Sequence, residues 1–263
     1  MHKETIKIQE VSIEYFLNGI ENDQTILFVH GLGANLSQFE NQYRFFQDKY
    51  KVLSLNLRGH GNTSSTKKLS HSDFKLHKIS QDIIDLLDEL KIEKVHFVGN
   101  SMGGNIGHEI LKTNTNRLHS IISFGTTAEM NKSNFTVLII QLAYRILGIR
   151  TIANLSKSIG QSEYSKNKIY EMISHASIKT ILNTIPYLAK LNYTQIIKTN
   201  PIPTLIIKGE KDKEINCFLK STIAAYKENN DFRLVEMKGV GHFANLDKPN
   251  EFNQELLNFI DSI

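Results

Sequence analysis

Five short runs rich in continuous apolar residues, at 25–29, 51–57, 94–98, 120–124 and 204–208, constrain this chain more than any other feature. Runs of this length and composition suit strands buried on both faces of a sheet. Segments 38–48, 79–90, 102–113, 218–228 and 249–260 stand among them and read as helices. Strands and helices in alternation predict a mostly parallel sheet covered on both sides. Residues 5–9 and 11–17 alternate apolar with polar side chains and predict a half-exposed opening hairpin, and 232–237 a last strand. With 263 residues, 40% of them hydrophobic and 22% charged, one such sheet can bury a sufficient core without disulfides.

The alternation breaks once. Between residues 127 and 199 the β signal fades, and the patterns at 135–147, 162–175 and 178–191 are helical. The expected organisation is a core formed by 1–126 and 200–263 with a helical cap inserted at 127–199. The apolar run 135–149 reads first as a buried helix; its length and Arg145 argue against a membrane span. A second expectation is that Phe135, Leu138, Ile139 and Leu142 line a substrate pocket.

The sharpest local signal is Gly99-Asn100-Ser101-Met102-Gly103-Gly104, directly after one apolar run and at the start of a helical stretch. A tight strand-to-helix turn strains the backbone of its central serine and needs glycines where a Cβ would meet neighbouring chain. It would hold the Ser101 hydroxyl above the sheet. A serine hydroxyl is a poor nucleophile near neutral pH, so a base and a group that orients the base are required. The run 204–208 leads into Gly209-Glu210-Lys211-Asp212, which places a carboxylate just past a strand's carboxyl end, where open α/β sheets put their sites. Asp212 leads its neighbours Glu210 and Glu214 by its place after Gly209. Gly239-Val240-Gly241-His242-Phe243 puts a histidine in the loop between the last strand and the last helix. Serine, acid, histidine is the chain order of this architecture. Asp247 reads as a helix N-cap ahead of Pro249. The amides of Met102 and Leu32, the latter within His30-Gly31-Leu32-Gly33, are the expected donors to a reaction oxyanion, and His30 is expected to be structural.

Taken together, His30-Gly31-Leu32-Gly33, Arg58-Gly59-His60-Gly61, the serine turn, Gly209-Glu210-Lys211-Asp212 and His242 resemble the segments of the α/β-hydrolase superfamily along essentially the whole chain. The resemblance implies an α/β-hydrolase fold with a mostly parallel eight-stranded sheet. It is nearest to small capped esterases, enol-lactonases and carbon–carbon bond hydrolases, and makes Arg58-Gly59-His60-Gly61 a loop-shaping element. Ser101 in place of an aspartate argues against dehalogenase and epoxide hydrolase chemistry.

The expected activity is cleavage of a carboxylic ester through an acyl-enzyme, with lactone or carbon–carbon cleavage by the same residues, or slow-turnover ligand sensing, as rival readings. No cofactor is expected, nor a metal, since the histidines are scattered and Cys217 is the single cysteine. The net charge of +4 is spread over scattered lysines, so the expected partner is a small carbonyl substrate and not nucleic acid. The N-terminus lacks the apolar core of a secretory signal, and no stable membrane insertion and a cytoplasmic location are expected.

Overall fold

The apolar runs occupy the middle of one sheet. The computed structural model describes residues 2–228 and 231–263. Its strands are β1 (Glu4–Ile8), β2 (Val11–Asn18), β3 (Thr25–Val29), β4 (Lys51–Leu55), β5 (Val95–Asn100), β6 (Leu118–Phe124), β7 (Thr204–Gly209) and β8 (Phe232–Met237). In space they run β1-β2-β4-β3-β5-β6-β7-β8, with the two-residue strand Ser64–Ser65 added against β2. β2 is antiparallel to β1 and β4, and every pair from β4 to β8 is parallel. All residues of β3 and β5 are buried, as their central positions require. β8, at the edge, buries only Met237 fully.

The longer helices are α1 (Glu40–Phe46), α2 (Leu76–Glu89), α3 (Met102–Thr113), α4 (Asn134–Ser156), α5 (Glu163–Ser174), α6 (Ile178–Leu188), α7 (Leu219–Tyr226) and α8 (Pro249–Ile260). Ile79, Ile83 and Leu86 recur on one face of α2 and pack with Phe97 and Ile106 on one side of the sheet. On the other side Phe28 and Phe39 pack with Phe252 and Leu256 of α8.

β4 ends at Leu55, two residues before the apolar pattern does. The Leu57 amide leaves the ladder and donates instead to His30 Nε2 at 3.1 Å. The chain then turns through Arg58-Gly59-His60-Gly61. Arg58, buried, reaches α2 and meets Asp82 with two bonds, Nε to Oδ2 at 2.9 Å and Nη2 to Oδ1 at 2.6 Å. This fork-to-fork geometry fixes the loop against the helix.

Between β6 and β7 the chain makes an excursion beyond the sheet. Its helices occupy the predicted regions, but a three-residue ladder was not foreseen: Glu129–Asn131 pairs antiparallel with Lys190–Asn192 and closes the base of the excursion. Segments this short are below the length at which alternation can be recognised. α4 runs on to Ser156, past the predicted end at 147, with a break at Gly148, whose φ of 71° and ψ of 165° suit glycine alone. A Cβ there would meet nothing within 4 Å, so the glycine serves the backbone and not the packing. By length and composition alone Asn134–Ile159 is apolar and long enough to cross a membrane, so its length does not argue against a span as the sequence suggested. In the fold, the break divides it. Val137 packs on Ile181 and Ile185 of α6, and Ala153 on Ile169 and Met172 of α5.

Replacing Arg58 by methionine would leave the Asp82 carboxylate buried without its partner. We expect a loss of about 3–5 kcal/mol in stability, measured by urea unfolding. A loss below about 1 kcal/mol would show that the pair does not hold the loop.

Candidate active site

The loops at the carboxyl ends of β3, β5 and β7 and the loop after β8 converge at one edge of the sheet. Ser101 follows β5 and is the N-cap of α3, with φ 53° and ψ −118°. Positive φ is costly for a residue with a Cβ, and the surroundings impose it. The Ser101 amide donates to Phe124 O at 3.0 Å on the neighbouring strand, and its carbonyl accepts from Thr126 Oγ1 at 3.0 Å. The turn closes only without side chains. A Cβ on Gly103 would lie 2.2 Å from Val29 O, and one on Gly104 2.3 Å from Thr126 Oγ1.

Asp212 follows β7 and caps the short helix Lys213–Asn216, its Oδ1 accepting from the Ile215 amide at 3.2 Å. Its Oδ2 lies 2.9 Å from His242 Nδ1, and both residues are buried. The bond sets Nδ1 as the protonated ring nitrogen and leaves Nε2 to act as a base. Burial, the largest influence on His242, lowers its pKa; the hydrogen bond and charge of Asp212, joined by the charge of Glu214, together outweigh it and raise the pKa above its usual 6.5.

Neither rival carboxylate takes the place of Asp212 at the His242 ring. Glu210 accepts from the Gly239 amide at 2.8 Å. Glu214 lines the cavity beside the site. Asp247 is not the expected N-cap, because Lys248 occupies that place before Pro249. Its carboxylate instead accepts from the amides of Gly241 at 2.8 Å and Gln161 at 2.7 Å, and from Ser165 Oγ. It thereby ties the loop that carries His242 to the start of α5. Asn100 holds the same loop from within the sheet, donating through Nδ2 to His242 O at 3.1 Å and to Phe124 O at 3.2 Å. Sequence reasoning recognised neither role, since both depend on contacts between distant segments.

Leu32 and Met102 both line the cavity with Ser101. Met102 opens α3, so its amide has no acceptor within the helix. The Leu32 loop is held by two histidines. His30 Nδ1 donates to Gly31 O at 2.8 Å while Nε2 accepts from Leu57, and His60 Nε2 accepts from the Gly33 amide at 3.2 Å. Both are fully buried, which lowers their pKa values, His60 to about 4 and His30 well below 6.5. They therefore stay neutral near neutral pH and keep their acceptor nitrogens for the backbone.

A cavity of about 230 Å³ opens beside Ser101 and His242. Its apolar wall includes Ile140 and Tyr144 from α4 and Ile185 and Leu188 from α6; Glu214, Lys132 and Asn105 supply polar groups. The residues of α4 expected there are elsewhere: Phe135, Leu138, Ile139 and Leu142 are 72%, 57%, 52% and 49% exposed on the outer side of the helix. The cause lies in the sequence itself. Around 135–147 the helix is apolar on nearly every side, so no polar stripe reveals which face turns inward. Among the described residues no group of His, Cys, Asp and Glu is arranged to hold a metal ion.

The profile of the alpha/beta hydrolase fold matches residues 24–249. The chain is 26% identical to 3-oxoadipate enol-lactonase 2 of Acinetobacter baylyi, over 95% of this chain and 94% of that protein. It is 24% identical to the 2-hydroxy-6-oxononadienedioate/2-hydroxy-6-oxononatrienedioate hydrolase of Paraburkholderia phymatum, over 90% of this chain and 87% of that one. Among solved structures, the enol-lactonase of Burkholderia xenovorans superposes with a TM-score of 0.86 at 19% identity, covering 98% of this chain and all of that one. The chain therefore belongs to the α/β-hydrolase fold family, as a hydrolase whose central sheet, strand order and turn at Ser101 are those described above.

Proposed function

We propose that this hydrolase cleaves a small carboxylic ester, open or cyclic, through an acyl-enzyme on Ser101. The observation that carries the reading is the 2.9 Å bond between Asp212 and His242 beside a cavity that also exposes the strained Ser101. His242 Nε2 takes the Ser101 proton as Oγ attacks the carbonyl carbon. The oxyanion receives the amides of Leu32 and Met102. His242 then returns the proton to the leaving oxygen, the carbon–oxygen bond breaks and an acyl-serine remains. A water deprotonated by His242 attacks the acyl-serine, the carbon–Oγ bond breaks as His242 returns the proton to Ser101 Oγ, and the acid leaves, with Asp212 stabilising the imidazolium in both halves. The excursion 127–199 acts as a cap, since Ile140, Tyr144, Ile185 and Leu188 supply the apolar wall. Its small volume favours short acyl groups. The similarity to an enol-lactonase supports a cyclic ester among the substrates.

Hydrolysis of p-nitrophenyl esters from acetyl to palmitoyl tests this. We expect turnover to be greatest with the short chains and Ser101→Ala to lower kcat by about 10⁴-fold or more. Ester turnover that survives Ser101→Ala would sink the serine mechanism. Absence of turnover on every ester and lactone by a folded protein would point to a carbon–carbon bond substrate or to ligand sensing.

The pH profile is a separate check. The base must be neutral, so kcat/KM should fall as pH drops through the His242 pKa, with the midpoint above 6.5. Glu214→Gln removes a negative charge that favours the imidazolium and should move this midpoint to lower pH. An upward shift would contradict the electrostatic assignment.

A further inference from the structure

The face of α4 turned away from the cavity is left exposed by the described residues. Leu138, Ile139, Leu142 and Ile146 stand three, four, seven and eleven residues after Phe135 and form with it a single stripe, each about half exposed or more. Leu155, beyond the break at Gly148, is 58% exposed. Ile140 and Tyr144, on the opposite side, face the cavity. One helix thus forms the wall of the site and an apolar outer surface.

Charge indicates what would cover that surface. From Met130 to Ser162 there are four cations and no acid. The whole excursion 127–199 holds nine Lys and Arg against three Asp and Glu, a net +6, whereas the complete chain is +4, so the remainder is −2. Arg145 and Arg150 are exposed and make no ion pair among the described residues. A second copy docked face to face would bring together two surfaces of the same positive sign. A surface of anionic headgroups over an apolar interior complements both properties at once.

We infer that α4 is an interfacial helix that docks the protein on an anionic phospholipid bilayer, with its apolar stripe at the acyl boundary and Arg145 and Arg150 at the headgroups. The helix lies in the plane of the interface: the break at Gly148 lets its two halves follow the surface, and its inner side stays packed on α5 and α6. Docking requires no turnover and does not rest on the ester-hydrolase reading.

The test is flotation of the full chain with vesicles of about 3:1 phosphatidylcholine to phosphatidylglycerol, beside vesicles of phosphatidylcholine alone. Wild type and Ser101→Ala should float equally with the anionic vesicles, and about 0.5 M salt should weaken the binding. Arg145→Glu/Arg150→Glu and Ile146→Ser/Leu155→Ser should each reduce binding about tenfold or more while thermal unfolding shows both to be folded. Failure of folded wild type to float, or binding by either double variant equal to that of wild type, overturns the inference. So does a dimer in sedimentation that Ile146→Ser/Leu155→Ser dissociates in a protein that does not float, which would assign the face to a second copy.

Discussion

The close approach of α3 to β3 beneath Ser101 is the constraint on which the rest of the site depends. Gly103 has no side chain because Val29 O would stand 2.2 Å from its Cβ, and that contact sets how far α3 can sink onto the sheet. Depth, in turn, fixes the turn: the Ser101 amide reaches across to Phe124 O and the backbone is held at φ 53°. The strain is local, but the structure that maintains it extends through the doubly buried strands β3, β5 and β6. A loose sheet would let the serine relax and leave its hydroxyl displaced from the histidine loop.

Around this fixed point the fold arranges polar groups by function. Asn100, Asp212 and Asp247 hold the loop of His242 from three directions, through its carbonyl, its ring and the Gly241 amide before it. His30 and His60 do comparable work for the Leu32 loop, and burial suits them to it: a neutral imidazole offers both a donor and an acceptor, whereas an imidazolium would lose the acceptor that the Leu57 and Gly33 amides need. His242 differs because a buried carboxylate faces it. Similar burial therefore yields two kinds of histidine, one held neutral and one whose hold on a proton is strengthened.

The excursion follows a different rule from the sheet. Its small ladder at 129–131 and 190–192 closes the base, and its longest helix, apolar on nearly every side ahead of the break at Gly148, turns apolar side chains both to the cavity and to the outside. Charge is divided in the same way, with the excess of cations in the excursion and a slight excess of acids in the remainder. The Asp212–His242 pair and the turn at Ser101 thus sit at the sheet edge, while the longest helix of the excursion buries only Val137 and Ala153 fully.

The sheet and the serine turn are legible in the amino-acid sequence, because continuous apolar runs and glycines at close approaches report local demands that only a few conformations satisfy. The sequence also identified Asp212 and His242 as the groups to meet, since their loops follow strands whose order is dictated by the alternation. Tertiary structure alone decided which face of α4 turns inward, that Asp247 clamps the His242 loop and leaves the N-cap to Lys248, and that Asn100 holds that loop from below. The physical reason is the same in each case. A helix apolar on all sides has no preferred face until something packs against it, and an Asp or Asn that suits a local cap or turn can equally serve a partner brought near only by the folded chain.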